Sequence, residues 1–197
     1  SIAEARTSAI LSSINAAGKA KVIRYLSGSR LLTPLKRDRR LGRPILDGTG
    51  GYAEERGYGI RVIDLGVMLA ASDLSGTDLR WTDLSDANLI RANLQGCDLV
   101  RANLARTILV DVDLTGADMM GARLFNGDLS TASPRTRTDI PDYSSGAYTG
   151  AVVEGADFSN VQRMSEHQRR YCCSWGGRKT RSTIPGGCGD WPDRLER

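Results

Sequence analysis

From Leu69 to Leu129 an apolar residue returns at every fifth position. The series runs Leu69, Leu74, Leu79 and onward to Leu114, then Met119, Leu124 and Leu129, thirteen centres without a slip. Two residues before each centre stands a small or β-branched side chain, from Val67, Ser72 and Thr77 through Cys97 to Ala122 and Gly127. The residue just before the centre is Asp or Asn in ten of the thirteen, which makes internal repetition the first thing to explain. A helix needs apolar steps of three and four. A flat strand alternates with period two, so an odd spacing would send successive Leu to opposite faces. Five works if the chain turns a corner after each repeat. Four corners close a square coil of about twenty residues, and such coils stack at roughly 4.7–4.9 Å. Leu and the small residues then point inward, while Asp or Asn and the two residues after each centre point outward.

The flanks read differently. Residues 1–33 are expected to be helical, with a stripe of Ile2, Ala5, Ile10, Leu11, Ile14 and Ala17, a break at Gly18, and a second helix carrying Val22, Ile23, Tyr25 and Leu26 that ends at Ser27-Gly28. That helix is expected to cover the open end of the first coil, whose unpaired backbone would otherwise invite edge-to-edge association. Residues 34–61 read as a basic linker holding Pro34, Pro44 and the cluster KRDRR at 36–40. Val62-Ile63-Asp64-Leu65 reads as a lead-in strand. The solenoid is expected over 62–160, with a loop insertion at 131–147 rich in Pro, Ser and Thr. The pattern returns as AVVEGADF, with Val153 and Phe158 as centres, one residue out of register. Residues 161–197 are expected to form a short helix from Ser165 and then an irregular tail over the other end.

The stretch DANLIRANLQGCDLVRANL at 86–104 resembles the A-[DN]-L-x-x motif of the pentapeptide-repeat family. The resemblance covers roughly 63–131 and 151–160. It implies an all-β solenoid core, a right-handed quadrilateral β-helix, here with an N-terminal α-helical cap and an irregular C-terminal extension. It also implies a non-enzymatic scaffold that presents flat faces to a protein partner, in the cytoplasm of a bacterium or as a subunit of a membrane-associated assembly. The order of helix, short linker and I-D-L resembles pentapeptide proteins in which membrane helices come first. Two alternatives stand beside the scaffold. Some members of the family imitate duplex DNA and act on topoisomerases such as gyrase, and the basic N-terminus suits an anionic membrane surface. Three coils are short for duplex mimicry, and nucleic acid is an unlikely partner because no nucleic-acid fold signature accompanies the basic cluster.

Charge sharpens the division. The chain carries +4 overall. Residues 1–62 carry +7, residues 63–131 carry −5, residues 132–160 carry −2 and residues 161–197 carry +4. An acidic rod between basic ends is expected, with Asp imposed by the motif. No apolar run is long enough to span a bilayer. The chain begins at Ser1 rather than Met, which leaves an upstream targeting or membrane segment open.

Candidate chemistry is sparse. One His, no Gly-x-Ser-x-Gly and no phosphate-binding Gly loop give no catalytic residues and no cofactor. His167 with Cys172, Cys173 and Cys188 lacks zinc-ligand spacing, so no metal is expected. A disulfide from Cys172 or Cys173 to Cys188 is the alternative to free thiols, and would place the chain in an oxidising compartment such as a periplasm. Outward positions twenty apart put Arg80, Trp81, Val100, Arg101 and Met120 on one face and Ile90, Ile108 and Val110 on another. These are the candidate protein-binding residues.

Overall fold

The computed structural model describes residues 1–66 and 68–195. Val67, expected as an inward small residue, lies outside the described residues, as do the last two residues of the C-terminal segment.

Each repeat is one edge and one corner. The carbonyl of an apolar centre accepts the N–H three residues on, as Leu69 does from Ser72 (3.1 Å), Leu84 from Ala87 (3.1 Å) and Leu99 from Ala102 (2.9 Å). The second residue after the centre takes the left-handed conformation at Ala71, Gly76, Trp81, Asp86, Arg91, Gly96, Arg101, Arg106, Asp111, Gly116 and Gly121. A left-handed third residue is the signature of a type II-like turn. The Asp or Asn before the centre braces the next bend. Its Oδ1 accepts the N–H two residues on, as in Asp73 from Ser75 (3.0 Å), Asp78 from Arg80 (3.1 Å) and Asn103 from Ala105 (3.2 Å). Asp and Asn recur because their short side chains close this turn.

Parallel bridges join residues twenty apart: 73 to 93 and 113 on the first face, 78 to 98 and 118 on the second, 83 to 103 and 123 on the third, and 88 to 108 on the fourth. Among the described residues each edge contributes a single bridge rather than a long strand. The centres from Leu69 to Leu124 are buried to within 1% of full enclosure and form a dry column. Polar occupants of the small-residue slots find carbonyls there. Thr82 Oγ1 donates to Leu79 (2.6 Å), Thr107 Oγ1 to Leu84 (2.9 Å) and Cys97 Sγ to Leu74 (2.9 Å).

The insertion starts earlier and ends later than expected. Ile108 bridges to Val152, Asp113 to Asp157 and Asp118 to Gln162, each forty-four residues on. The coil is interrupted by twenty-four residues (44 − 20), and Ala151 N–H donates across the gap to Leu124 O (2.8 Å). Twenty-four is one short of five repeats, which accounts for the shifted register of Val153 and Phe158. Both are fully buried, Val153 adding a third layer to the fourth face and Phe158 a fourth layer to the first. Leu129 is therefore corrected. It leaves the column with the excursion and is only half-buried, and Val153 stands in its place. Inside the excursion the backbones of 127 and 146 pass so closely that a Cβ at Gly127 would sit 2.4 Å from Gly146 N, and one at Gly146 would sit 2.3 Å from Asn126 O.

Helix α1 (Ile2–Ser13) and helix α2 (Ala16–Gly28) precede the solenoid. The break falls at Ile14-Asn15 rather than at Gly18. Asn15 caps α2 by accepting Gly18 N–H (2.9 Å), which puts Gly18 inside the first turn. Leu11, Ala20, Ile23 and Leu26 join the core, while Ile2 and Ile10 stay exposed. Ser27 Oγ accepts Asp83 N–H (2.8 Å) and Arg24 pairs with Asp78 (2.8 Å).

Residues 34–61 are corrected from linker to folded structure. Leu35 pairs antiparallel with Glu54 and Ile60, Arg37 with Pro44, and Leu46 with Tyr52. Two aspartates head the turns. Asp38 Oδ1 accepts from Arg40 and Leu41 (2.9 and 2.7 Å), and Asp47 Oδ1 accepts from Thr49 (2.8 Å). The KRDRR cluster is thus the bend of a hairpin.

At the other end, Ser165 caps helix α3 (Glu166–Trp175), which is followed by the short helix α4 (Gly177–Arg181). Side chains of this segment take backbone groups of the last coil. Gln168 Nε2 donates to Met119 O and Ala122 O (2.7 and 2.8 Å), Tyr171 Oη to Ala151 O (2.7 Å) and Thr180 Oγ1 to Val153 O (3.0 Å), while Thr183 Oγ1 accepts Phe158 N–H (2.9 Å). A Cβ at Gly150 would lie 1.9 Å from Tyr171 Oη, so the phenol crosses where no side chain stands.

Candidate interaction surface

The corner between the second and third faces stacks Trp81, Arg101 and Gly121, all left-handed. Trp81 is 65% exposed. The Arg101 guanidinium lies 4.6 Å from its ring centre, a cation–π geometry that fixes an otherwise free indole. Beyond this corner runs a groove of about 650 Å³, walled by α2 and the hairpin segment on one side and by the third face on the other. Arg30, Arg56, Arg101 and Arg123 line it against Glu54 and Asp83, so its walls carry a net +2 (four minus two). Arg30 pairs with Glu54, and Arg56 pairs with both Glu54 (3.1 Å) and Asp83 (3.4 Å).

The neighbouring stack is less available than expected. Arg80 spans from Asp78 (2.8 Å) to Asp98 (3.3 Å), crossing from its own coil to the next. Hydrogen bonding to Arg80 is the main cause that brings the Asp78 carboxyl down to about 2. Val100, between Arg80 and Met120 in the stack, is only 8% exposed and is corrected to a buried residue. Met120 remains exposed but meets Arg163 through its sulfur (3.1 Å), and Arg163 is tied in turn to Asp118. The expected ladder of Ile90, Ile108 and Val110 is not one surface. Ile90 and Val110 are twenty apart, whereas Ile108 holds an Asx position on the fourth face, and all three are half-buried.

The pentapeptide-repeat model, in eight copies, matches residues 66–99 and 87–126. Residues 66–126 are pentapeptide repeats. Two solved pentapeptide-repeat proteins are similar to the chain. One, from the thylakoid lumen of Arabidopsis thaliana, is 26% identical over 61% of this chain and 92% of its own, with a TM-score of 0.30. The other, HetL of the cyanobacterium Nostoc, which is involved in the regulation of heterocyst differentiation, is 23% identical over 45% of this chain and 39% of its own, with a TM-score of 0.16. No curated protein sequence matches. Pentapeptide-repeat proteins are structural and interaction proteins.

One feature of that surface escapes motif reading. Asp86, at a third corner, accepts Arg61 Nη2 (2.9 Å), Arg106 Nε (2.7 Å) and Arg135 Nη1 (3.5 Å). Asp86 and Arg106 are twenty apart, so the repeat alone places them together. Arg61 and Arg135 arrive from the hairpin segment and the excursion, which no periodicity registers. In the tail, Cys173 and Cys188 are joined as a disulfide, while Cys172 is a free, fully buried thiol pushed well above its ordinary range by burial. Among the described residues no cluster could hold a metal ion, and no helix is long and apolar enough to cross a membrane.

Proposed function

We propose that this pentapeptide-repeat protein is a non-catalytic interaction module, its solenoid closed by α2 at one end and by the α3–α4 segment at the other, and that the Trp81 corner receives an acidic segment of a protein partner. The observation that carries the reading is Trp81. It is a large aromatic held out at a left-handed corner, with Arg101 stacked on it and a groove of net positive charge alongside. Fixed aromatics and arginines are the side chains that most often dominate binding energy, and complementary charge steers the encounter.

The rival readings find less support. Ile23 and Leu26 are buried in the core, which removes from α2 the apolar face a membrane surface would need. Asp78, Asp98 and Asp118 are engaged by arginines, which blunts an acidic, duplex-like stripe.

Peptide display against the folded chain tests the proposal. Selected peptides should combine Asp or Glu with an apolar anchor, bind saturably, and lose about tenfold or more in affinity on Trp81→Ala or Arg101→Glu, as expected for a residue worth over 1.4 kcal/mol. Recovery of no acidic peptides, or undiminished binding to both variants, refutes it. Protection of gyrase in a supercoiling assay, or salt-sensitive flotation with anionic liposomes, would favour a rival instead.

A further inference from the structure

The charges around Asp86 do not balance. A cavity of about 470 Å³ is lined by Arg56, Arg61, Arg106 and Arg135, with Asp64 and Asp86 as its carboxylates. Four cations against two anions leave +2. Arg56 is shared with Glu54 and Asp83 outside the cavity, and even without it three guanidiniums face two carboxylates. The side chains of Arg61, Arg106 and Arg135 are only 17%, 13% and 23% exposed, so they have given up most of their water. Cations drawn this far from solvent require compensation. Arg135 registers the imbalance. Burial above all, with Arg106 and Arg61 adding and Asp86 and Asp64 opposing, holds its guanidinium below the ordinary value.

Geometry limits what can compensate. Three guanidiniums converge from three parts of the chain. Arg61 is anchored by Nε to Leu32 O (2.8 Å), Arg106 by Nη1 to Tyr148 O (2.6 Å), and Arg135 by Nη1 to Arg106 O (3.2 Å) and Asp86 O (3.3 Å). These bonds fix the forks in place. Among the described residues, Arg61 Nη1, Arg106 Nη2 and Arg135 Nη2 form no hydrogen bond. Spare donors on guanidiniums that converge from three parts of the chain suit an oxyanion with several acceptor oxygens, such as phosphate.

We infer that the Asp86 pocket is a binding site for a small phosphate-class dianion, either inorganic phosphate or the phosphate monoester of a small molecule. The anion offsets the positive surplus and takes the spare donors. Binding also clamps the hairpin segment and the excursion to the solenoid, because each supplies one of the arginines. The competing account is an ion-pair hub in which Asp86 alone organises the three arginines.

Calorimetric titration of the full chain with inorganic phosphate, at ionic strength matched by chloride, separates the two accounts. β-Glycerol phosphate in a parallel arm distinguishes free phosphate from a monoester. Saturable binding is expected, with a rising thermal midpoint. Arg135→Gln should weaken it by about tenfold or more, the scale of one charge-assisted contact, and Lys179→Gln, outside the pocket, should leave it unchanged. Asp86→Asn keeps the shape and tolerates the left-handed corner while removing a competing charge, so it should tighten binding. A hub gives the opposite pattern, with no saturable phosphate effect in any variant and only lost stability in Asp86→Asn. Native-like circular dichroism with wild-type phosphate affinity in Arg135→Gln would overturn the inference. Should Arg135→Gln not fold, unchanged affinity in both Arg61→Gln and Asp86→Asn would overturn it.

Discussion

Leu99→Ala puts the dry column to a quantitative test. Leu99 is fully buried, with Leu79 and Met119, equally buried, one coil to either side. The substitution removes three carbons, a transfer loss of about 2.4 kcal/mol at 0.8 kcal/mol per methylene. Relief by collapse is limited, because Leu79 N–H holds Asp98 O (2.9 Å) and Leu99 N–H holds Asp118 O (3.0 Å), fixing the coil spacing on both sides. A residual void of some tens of Å³ adds about 1–2 kcal/mol at 24 cal/mol per Å³. The total is about 4 kcal/mol, in the upper part of the range for Leu→Ala. Asp98→Ala is the control one residue away. It forfeits the acceptor for Val100 N–H (3.1 Å) and a half-exposed contact to Arg80, worth about 1 kcal/mol together. Urea unfolding followed by circular dichroism reads both. Equal losses, or a Leu99→Ala cost near 1 kcal/mol, would refute the inward column and the square coil that requires it.

Three further outcomes are expected. Gly96 has φ of 60° and nothing within 4 Å of an added Cβ, so Gly96→Ala should cost about 1–2 kcal/mol from backbone strain alone and Gly96→Asn less, by the same urea assay. Asp78 is brought down to about 2, and hydrogen bonds lower Asp73, Asp118 and Asp142 as well. A lowered carboxylate stabilises the fold above its unfolded value of 3.8 and loses that contribution as pH falls through the folded value. Urea midpoints should therefore be level with respect to these groups above about pH 5 and decline below about pH 4, and a rise there would contradict the assignment. Opening the Cys173–Cys188 link, fifteen residues apart, should cost about 3 kcal/mol, while Cys172 should resist alkylation until unfolding; mass mapping after non-reducing alkylation checks both.

The column was legible because its determinants are local and repeated. A Leu, a small residue two before it and an Asx between them specify one turn, and twelve successive centres leave little freedom. The register shift at Val153 was legible too, but not the true span of the excursion. Leu129 keeps the spacing of five, and only the long-range bond from Ala151 to Leu124 shows that the chain has already left the coil. The hairpins of 34–61 were hidden for a related reason. They are built on Asp38 and Asp47 turns with few apolar residues, so polarity suggested a linker. Val100 is buried although it points outward by register, because period five fixes direction but not cover.

The largest change in picture concerns charge. Along the chain, acid and base are segregated, and the middle third looks like a negative rod. In space they mix. Asp73, Asp78, Asp83, Asp98, Asp113 and Asp118 spend an oxygen on their own turns. Arginines and a lysine from the flanks then fold onto the acidic core: Arg24 onto Asp78, Arg56 onto Asp83, Arg61 and Arg135 onto Asp86, Lys179 onto Asp111 and Arg163 onto Asp118. Pairing blunts the rod, and locally arginines outnumber carboxylates. Among the described residues such a positive surplus lines the Trp81 groove and the Asp86 pocket. The hairpin segment borders both, with Arg56 lining each, one along the third face and the other at the corner that follows it. A ligand drawn to this chain by charge should therefore be an anion approaching that side, not a cationic surface reading the solenoid as if it were nucleic acid.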